Sequence, residues 1–315
     1  LAVRSSGLFE DSLMQPFAGI FETYLLPNSN AEIEIRLIQL MDAIKLVYAS
    51  IYSDTARGYI NAINYKIEEE KMAVIIQEVV GEQYENTYYP HISGVSQSYN
   101  YYPYSYMQPE DGFAVIAVGL GIYVVEGEKA FRFSPKYPNL EINTPKDQYL
   151  NSQIELFAVD LDKKEFNLLE GDTAGLVRLS IEDAERHGVI KHCASVYSDE
   201  NKTVYAGTDK AGPRIINFAD ILKYRYIPLA DTLVEILDIV KEALGTPVEI
   251  EFAIDLARDN NNKASFYLLQ IKPIIGASLD YEVNMDEIDK THILLFAEKS
   301  MGNGMINNIH DVIYV

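Results

Sequence analysis

The strongest constraint on this chain lies at Leu229, Leu233, Ile236, Leu237, Val240 and Leu244, which recur every three or four residues until Gly245 and Pro247 break the pattern. That period is an amphipathic helix with one face to bury, and a glycine followed by a proline ends it. Directly afterwards, Val248–Asp255 and Ser265–Ile271 read as two strands. A one-faced helix followed by a hairpin demands a layered fold of mixed helix and sheet.

The rest of the 315 residues fits that frame. The length suggests about two domains, and 48% hydrophobic residues suffice for a packed core. Ala2 and Val3 begin an opening strand, and a second runs from Gly19 to Leu26 and stops at Pro27-Asn28. Leu37, Met41, Ile44, Tyr48 and Ile51 form a helical stripe expected to face a sheet, with Ser29 or Asn30 as its cap. A shorter helix is expected toward Tyr65. Met72–Val80 is almost unbroken in its apolar character, the mark of a strand buried on both faces. From Tyr84 to Tyr106 lie eight of the 23 tyrosines, which suit either a half-exposed β-ribbon or a partner surface. Asp111–Val125 reads as strand, Gly119-Leu120-Gly121 turn and short helix. Residues 136–226 carry a strand near Ile154–Val159, a helix Ile181–His187 ending at Gly188, and no chemistry above background.

A net charge of −21 repels phosphate backbones and anionic lipid, so neither nucleic acid nor a membrane is an expected partner. No apolar run reaches the ~18 residues of a membrane span. The single cysteine, Cys193, fits a reducing, cytoplasmic setting. The chain opens on Leu1 rather than methionine, inside what reads as a strand, so an N-terminal truncation is expected.

Residues two apart on a strand share a face, so Glu249 and Glu251 project together, as do Gln270 and Lys272. One hairpin register sets Glu251 opposite Gln270 and Glu249 opposite Lys272, with the turn on Asn260-Asn261-Asn262. The group is either a cross-strand salt bridge from Glu249 to Lys272 beside a neutral polar pair, or a hard-oxygen site. In the second case the Glu251 carboxylate and Gln270 carbonyl hold Mg²⁺ on nucleotide phosphates, with Lys272 as counter-charge.

The opening Val3-Arg4-Ser5-Ser6, then Glu10-Asp11, then Phe17-Ala18-Gly19-Ile20-Phe21-Glu22-Thr23 resemble the V-R-S-S, E-D and F-A-G-x-x-E-T wording of one family. This is the nucleotide-binding domain of phosphoenolpyruvate synthase and pyruvate phosphate dikinase, an ATP-grasp fold. Met72–Gln77, Ser93-Gly94-Val95, Gly119-Leu120-Gly121 with Val124–Gly127, and Glu249–Ala253 with Leu269-Gln270 follow in the family's order. The resemblance covers roughly residues 1–135 and 229–275.

It implies an α+β (α/β) ATP-grasp domain over 1–275, truncated at its N-terminus, with an unplaced insertion at about 136–228. Residues 276–315 would begin a linker or a following domain. Carried over by motif, Arg4 would contact ATP phosphates, Gly19 and Thr23 would lie in the phosphate-covering loop, and Gln77 would sit by the adenine. Glu251 and Gln270 would hold Mg²⁺, and Lys272 would stand where the family usually has arginine; Arg4 and Lys272 would serve the chemistry. Ser5 and Ser6 would join that phosphate motif or, alternatively, serve as turn or cap residues. The whole protein would pass a phosphoryl group from Mg-ATP to a histidine on a separate domain, and from there to pyruvate bound on another. A glucan or an antibiotic is the alternative acceptor, and homo-oligomerisation stays open.

Three departures stand against the family pattern. Ile122 follows the Gly-Leu-Gly where the family commonly has an acid, Ser96-Gln97-Ser98 replaces an apolar-aromatic pair, and Lys272 keeps the charge of arginine without its bidentate fork. The family's phosphate-binding lysine would precede Leu1, so this chain alone is expected to bind Mg-ATP weakly and to be inactive. Thr291-His292 reads as a strand start, and the acceptor histidine is expected beyond Val315. His187 and His192 read as surface residues around the Gly188 turn. The runner-up from another class is a degenerate nucleotide-binding or tyrosine-rich interaction module without phosphotransfer, which Ile122 favours.

Overall fold

A computed structural model of the chain describes residues 1–7, 20–62, 66, 70–125, 127, 129–140, 143–257 and 263–274. The first third holds β1 (Ala2–Gly7), β2 (Thr23–Leu25), α1 (Ile33–Ser50), α2 (Asp54–Ala62), β3 (Met72–Gln77), β4 (Glu82–Tyr84), β5 (Thr87–Tyr89) and β6 (Ile92–Gln97). Then follow β7 (Phe113–Ala117), α3 (Ile122–Val125), β8 (Phe131–Phe133), α4 (Pro145–Leu150), β9 (Glu155–Asp160), β10 (Leu176–Ser180) and α5 (Ile181–Arg186). The last part is β11 (Ala194–Ser198), β12 (Thr203–Ala206), β13 (Arg214–Ile216), α6 (Ala219–Leu222), α7 (Leu229–Leu244), β14 (Val248–Asp255) and β15 (Ser265–Pro273).

The strands form four sheets, ordered β2-β1-β3, β10-β9-β5-β4, β12-β11-β13 and β15-β14-β6-β7-β8. Every ladder among the described residues is antiparallel, so the class is α+β rather than the parallel α/β alternative. The main core lies under the five-stranded sheet. Val248, Ile250, Phe252 and Ile254 of β14 point down onto Leu229, Leu233, Leu237 and Val240 of α7, all buried. Gly245, at φ 67°, stops that helix as its sequence requires. Gly94 of β6 belongs to the same packing. A Cβ there would lie 2.6 Å from Phe252 Cζ and 2.8 Å from the Val115 oxygen, so only glycine lets these side chains close beneath it.

The small sheet forms a thinner lobe. Val3 and Tyr24 pack with Ala43 and Val47 of α1 in a separate small core. The expected stripe of α1 holds only in part: Ile44 and Ile51 pack against the small cores, whereas Leu37, Met41 and Tyr48 stand exposed, and the fully buried residues are Ala43, Val47 and Ser50. Several faces of α1 are apolar, and the small side chains are those that let the helix settle close to three short strands. Neither Ser29 nor Asn30 caps it. The cap position is Glu32, whose N–H donates to Asn30 Oδ1 at 2.9 Å.

Met72–Gln77 is an edge strand with Ile75 and Ile76 exposed, not a strand covered on both faces. Ser5 and Ser6 sit mid-strand in β1, opposite Val74 and Ala73, rather than in a turn or cap. The tyrosines do not make one ribbon: Tyr84, Tyr88 and Tyr89 belong to the β4–β5 hairpin, while Tyr99–Tyr106 lie in the irregular connection after β6. His187 is no surface residue. Its ring is 6% exposed, stacks on Tyr84, and lies 2.7 Å from the Tyr89 hydroxyl. The segment beyond residue 136 joins the fold through β9, which pairs with β5 at Tyr88↔Val159.

Candidate functional site

Between the small lobe and the five-stranded sheet lies a cavity of about 460 Å³. Its upper wall follows from strand alternation in the small sheet. Val3 points down to α1, so Arg4 and Ala2 point the other way, as do their cross-strand partners Thr23, Leu25 and Gln77. The floor follows from the same rule in β6 and β14. With Ile250, Phe252 and Ile254 facing α7, Glu249, Glu251, Ala253 and Asp255 face up, beside Gln97, Val95 and Ser93 of β6.

The hairpin register is the one that the sequence requires, with Glu251 opposite Gln270 and Glu249 opposite Lys272. One residue further it slips, because Phe252 pairs with Leu268 and leaves Leu269 as a bulge that lines the cavity. The Asn260–Asn262 turn falls outside the described residues.

The salt bridge expected from Glu249 to Lys272 is not formed. Glu249 accepts from Gln97 Nε2 at 2.5 Å, and Lys272 Nζ reaches diagonally to Glu251 Oε1 at 3.0 Å. A lysine stem spans the distance to a diagonal neighbour, and Gln97 has already engaged the carboxylate directly opposite. The other oxygen of Glu251, Oε2, accepts from Arg4 Nη2 at 3.0 Å, and the same nitrogen donates to Gln270 Oε1 in a short hydrogen bond. Four side chains from three strands thus meet, with Arg4, Glu251 and Lys272 each less than a fifth exposed. Burial pushes the Glu251 carboxyl up, but Lys272 and then Arg4 outweigh it and hold the group below its ordinary value.

Thr23 and Gln77 also line the cavity, while Gly19 lies outside the described residues. Gln77 leads into Glu78, Val79 and Val80 along one rim. Leu120, Gly121, Ile122 and Val125 line the cavity as well and add apolar surface to it. Gly119 before them has φ 90° and is pressed against Leu156 and the Phe157 oxygen of β9, while its own carbonyl accepts from Ser93 Oγ at 2.7 Å. The Gly-Leu-Gly turn is therefore held by the body of the protein.

Sequence reasoning missed Glu22 and Asp172. Both line the cavity, and burial followed by the nearby Asp172 charge pushes the Glu22 carboxyl up. Asp172 comes from the stretch that carries no local motif, and its approach to Glu22 is long-range, so no spacing in the sequence could signal it. Sequence reasoning named Gln77 and not Glu78–Val80, whose signal was their direct continuity with it.

Among the described residues no three His, Cys, Asp or Glu side chains are set to hold a metal by themselves. Glu251 and Gln270 do offer two hard oxygens converging on one cationic nitrogen, a donor pair that fits Mg²⁺ or a similar ion completed by phosphate and water. No described helix is long and apolar enough to cross a membrane.

A cavity of this size, lined by apolar side chains together with charged groups of both signs, defines a small-ligand-binding domain. The family model of the pyruvate phosphate dikinase AMP/ATP-binding domain matches residues 1–292, and the chain belongs to that family. It is also similar to the phosphoenolpyruvate synthase of Aeropyrum pernix, 32% identical over 144 residues, which are 45% of this chain and 15% of that protein.

Proposed function

We propose that residues 1–275 form an ATP-grasp-type domain, with 136–228 an insertion and 276–315 leading onward, that holds Mg-ATP in the cleft. The polyphosphate would lie at Arg4, Glu251, Gln270 and Lys272, and the adenine toward Gln77–Val80. The observation that carries this reading is the meeting of Glu251 and Gln270 oxygens on the single Arg4 nitrogen. The charge of the cavity supports it too. Two cations, Arg4 and Lys272, face four carboxylates, Glu22, Glu78, Asp172 and Glu251, a lining that disfavours bare polyphosphate and favours one carrying a divalent cation.

When bound, Mg²⁺ would neutralise phosphate oxygens and hold the chain of phosphates in line. Lys272 would keep Glu251 ionised. Arg4 would turn from Glu251 to the phosphates, where its planar fork matches two oxygens. A histidine of a separate domain would attack phosphorus as the bond to the leaving phosphate oxygen breaks and that oxygen takes the electron pair. Of the described histidines, His91 is paired with Asp255, His187 is buried, and His192 is stacked on Tyr226 and held by Asp220, so none is a ready acceptor. The resemblance to phosphoenolpyruvate synthase makes pyruvate the leading final acceptor. A module that no longer transfers phosphate is the second reading, favoured by the apolar side chain of Ile122.

Incubation with Mg-ATP labelled at its β or γ phosphate tests the relay. The chain alone should stay unlabelled, and the full-length protein should gain one acid-labile, base-stable label. An unlabelled full-length protein, or stoichiometric label on this chain by itself, would overturn the assignment.

A further inference from the structure

We propose that Arg4 is a built-in competitor for the metal position. It excludes a free divalent cation from Glu251 and Gln270 and gives way only when polyphosphate arrives with that cation. This deepens the Mg-ATP reading and rests on it.

Arg4 Nη2 bonds Glu251 Oε2 and Gln270 Oε1, the two oxygens that a cation would need from the protein. Lys272 cannot play this part, because it bonds Glu251 Oε1. It can stay in place while the other two oxygens change partner. Any cation entering alone must break both Arg4 contacts. It would then sit beside a displaced guanidinium and the Lys272 ammonium, and Glu251 is the carboxylate ion-paired with both of these among the described residues, so three positive centres would share its two oxygens. Phosphate oxygens reverse the balance, since they take the guanidinium bidentately and complete the cation's shell at the same time. Arg4 is well placed for the exchange. It lines the cavity from β1, across the cleft from the hairpin that carries its partners, and its side chain is 19% exposed.

Manganese supplies the test, because free Mn²⁺ is counted by its electron paramagnetic resonance signal without any turnover. Titrations without nucleotide should find Arg4→Met binding Mn²⁺ at least about tenfold more tightly than wild type, the scale of hydrogen bonds to charged groups. Adding Glu251→Gln to Arg4→Met should abolish the gain. Arg4→Gln serves as a second variant should Arg4→Met not fold. Equal Mn²⁺ affinity in wild type and a folded Arg4 variant overturns the proposal, and so does a gain that survives Glu251→Gln. A parallel titration of wild type with Mn-ATP keeps the two readings apart. Absence of Mn-ATP binding alongside a retained tenfold difference would overturn nucleotide binding and leave the competition between Arg4 and the cation standing. Mn-ATP binding without that difference would overturn the competition alone.

Discussion

The two lobes that face each other across the cavity are both a helix on an antiparallel sheet, yet they are built to different standards. Beneath the five-stranded sheet, α7 buries four large aliphatic side chains in one stripe. Under the three-stranded sheet, α1 buries two small residues and one valine, and leaves Leu37, Ile38 and Met41 exposed. The difference teaches where rigidity sits. The strand bearing Glu251 is fixed by a deep core, whereas Arg4 is presented by a shallow one, which suits a residue that exchanges partners.

The largest expected contrast is in stability. Leu233→Ala, at a position with no exposure, should cost about 2 to 5 kcal/mol in chemical denaturation, while Leu37→Ala should stay within about 0.5 kcal/mol. Equal losses would mean that the small lobe is as firmly packed as the large one. Next comes glycine. Gly94→Ala should cost roughly 1 to 3 kcal/mol through its clash with Phe252 and the Val115 oxygen. Gly58→Ala in α2, with open space around it, should instead stabilise by roughly 0.4 to 1 kcal/mol.

The smallest effect joins the lobes. The folded-state Glu251 carboxyl sits below its ordinary value of 4.5, so its attraction to Lys272 and Arg4 contributes fully above that value. The contribution fades as pH falls through the lower folded value. Denaturation of wild type followed as pH falls below 4.5 should therefore show a loss that Glu251→Gln lacks. A loss of the same size in both would remove Glu251 from the link.

These contrasts also mark what the sequence could tell. The α7 stripe was legible at Leu229, Leu233, Leu237 and Val240, which are buried, and at the partly buried Ile236, whereas Leu244 in the last turn is exposed because the helix end runs past the sheet that covers the rest. In α1 the period was right and the face right only in part: Ile44 and Ile51 pack against the small cores, while Leu37, Met41 and Tyr48 are exposed, because Leu37–Met41 competes with Leu40–Ile44–Val47 and only the sheet chooses between them. The pairing of Glu251 with Gln270 was legible from strand alternation alone. The partner of Lys272 was not, since it depended on Gln97 from a third strand. The meeting of Arg4 with the hairpin spans nearly the whole described chain and was visible only through motif order, and Asp172 carried no local sign at all.

Hydrogen–deuterium exchange with and without excess Mg-ATP tests the central claim most directly, because it asks which lobes the nucleotide joins. Amides of residues 2–7, 77–81, 92–97 and 249–255, from both sides of the cavity, should exchange more slowly with Mg-ATP, while residues 194–206 in the β11–β12 sheet should not change. Protection confined to residues 99–106, or none anywhere at saturating Mg-ATP, would contradict a nucleotide held between the two lobes.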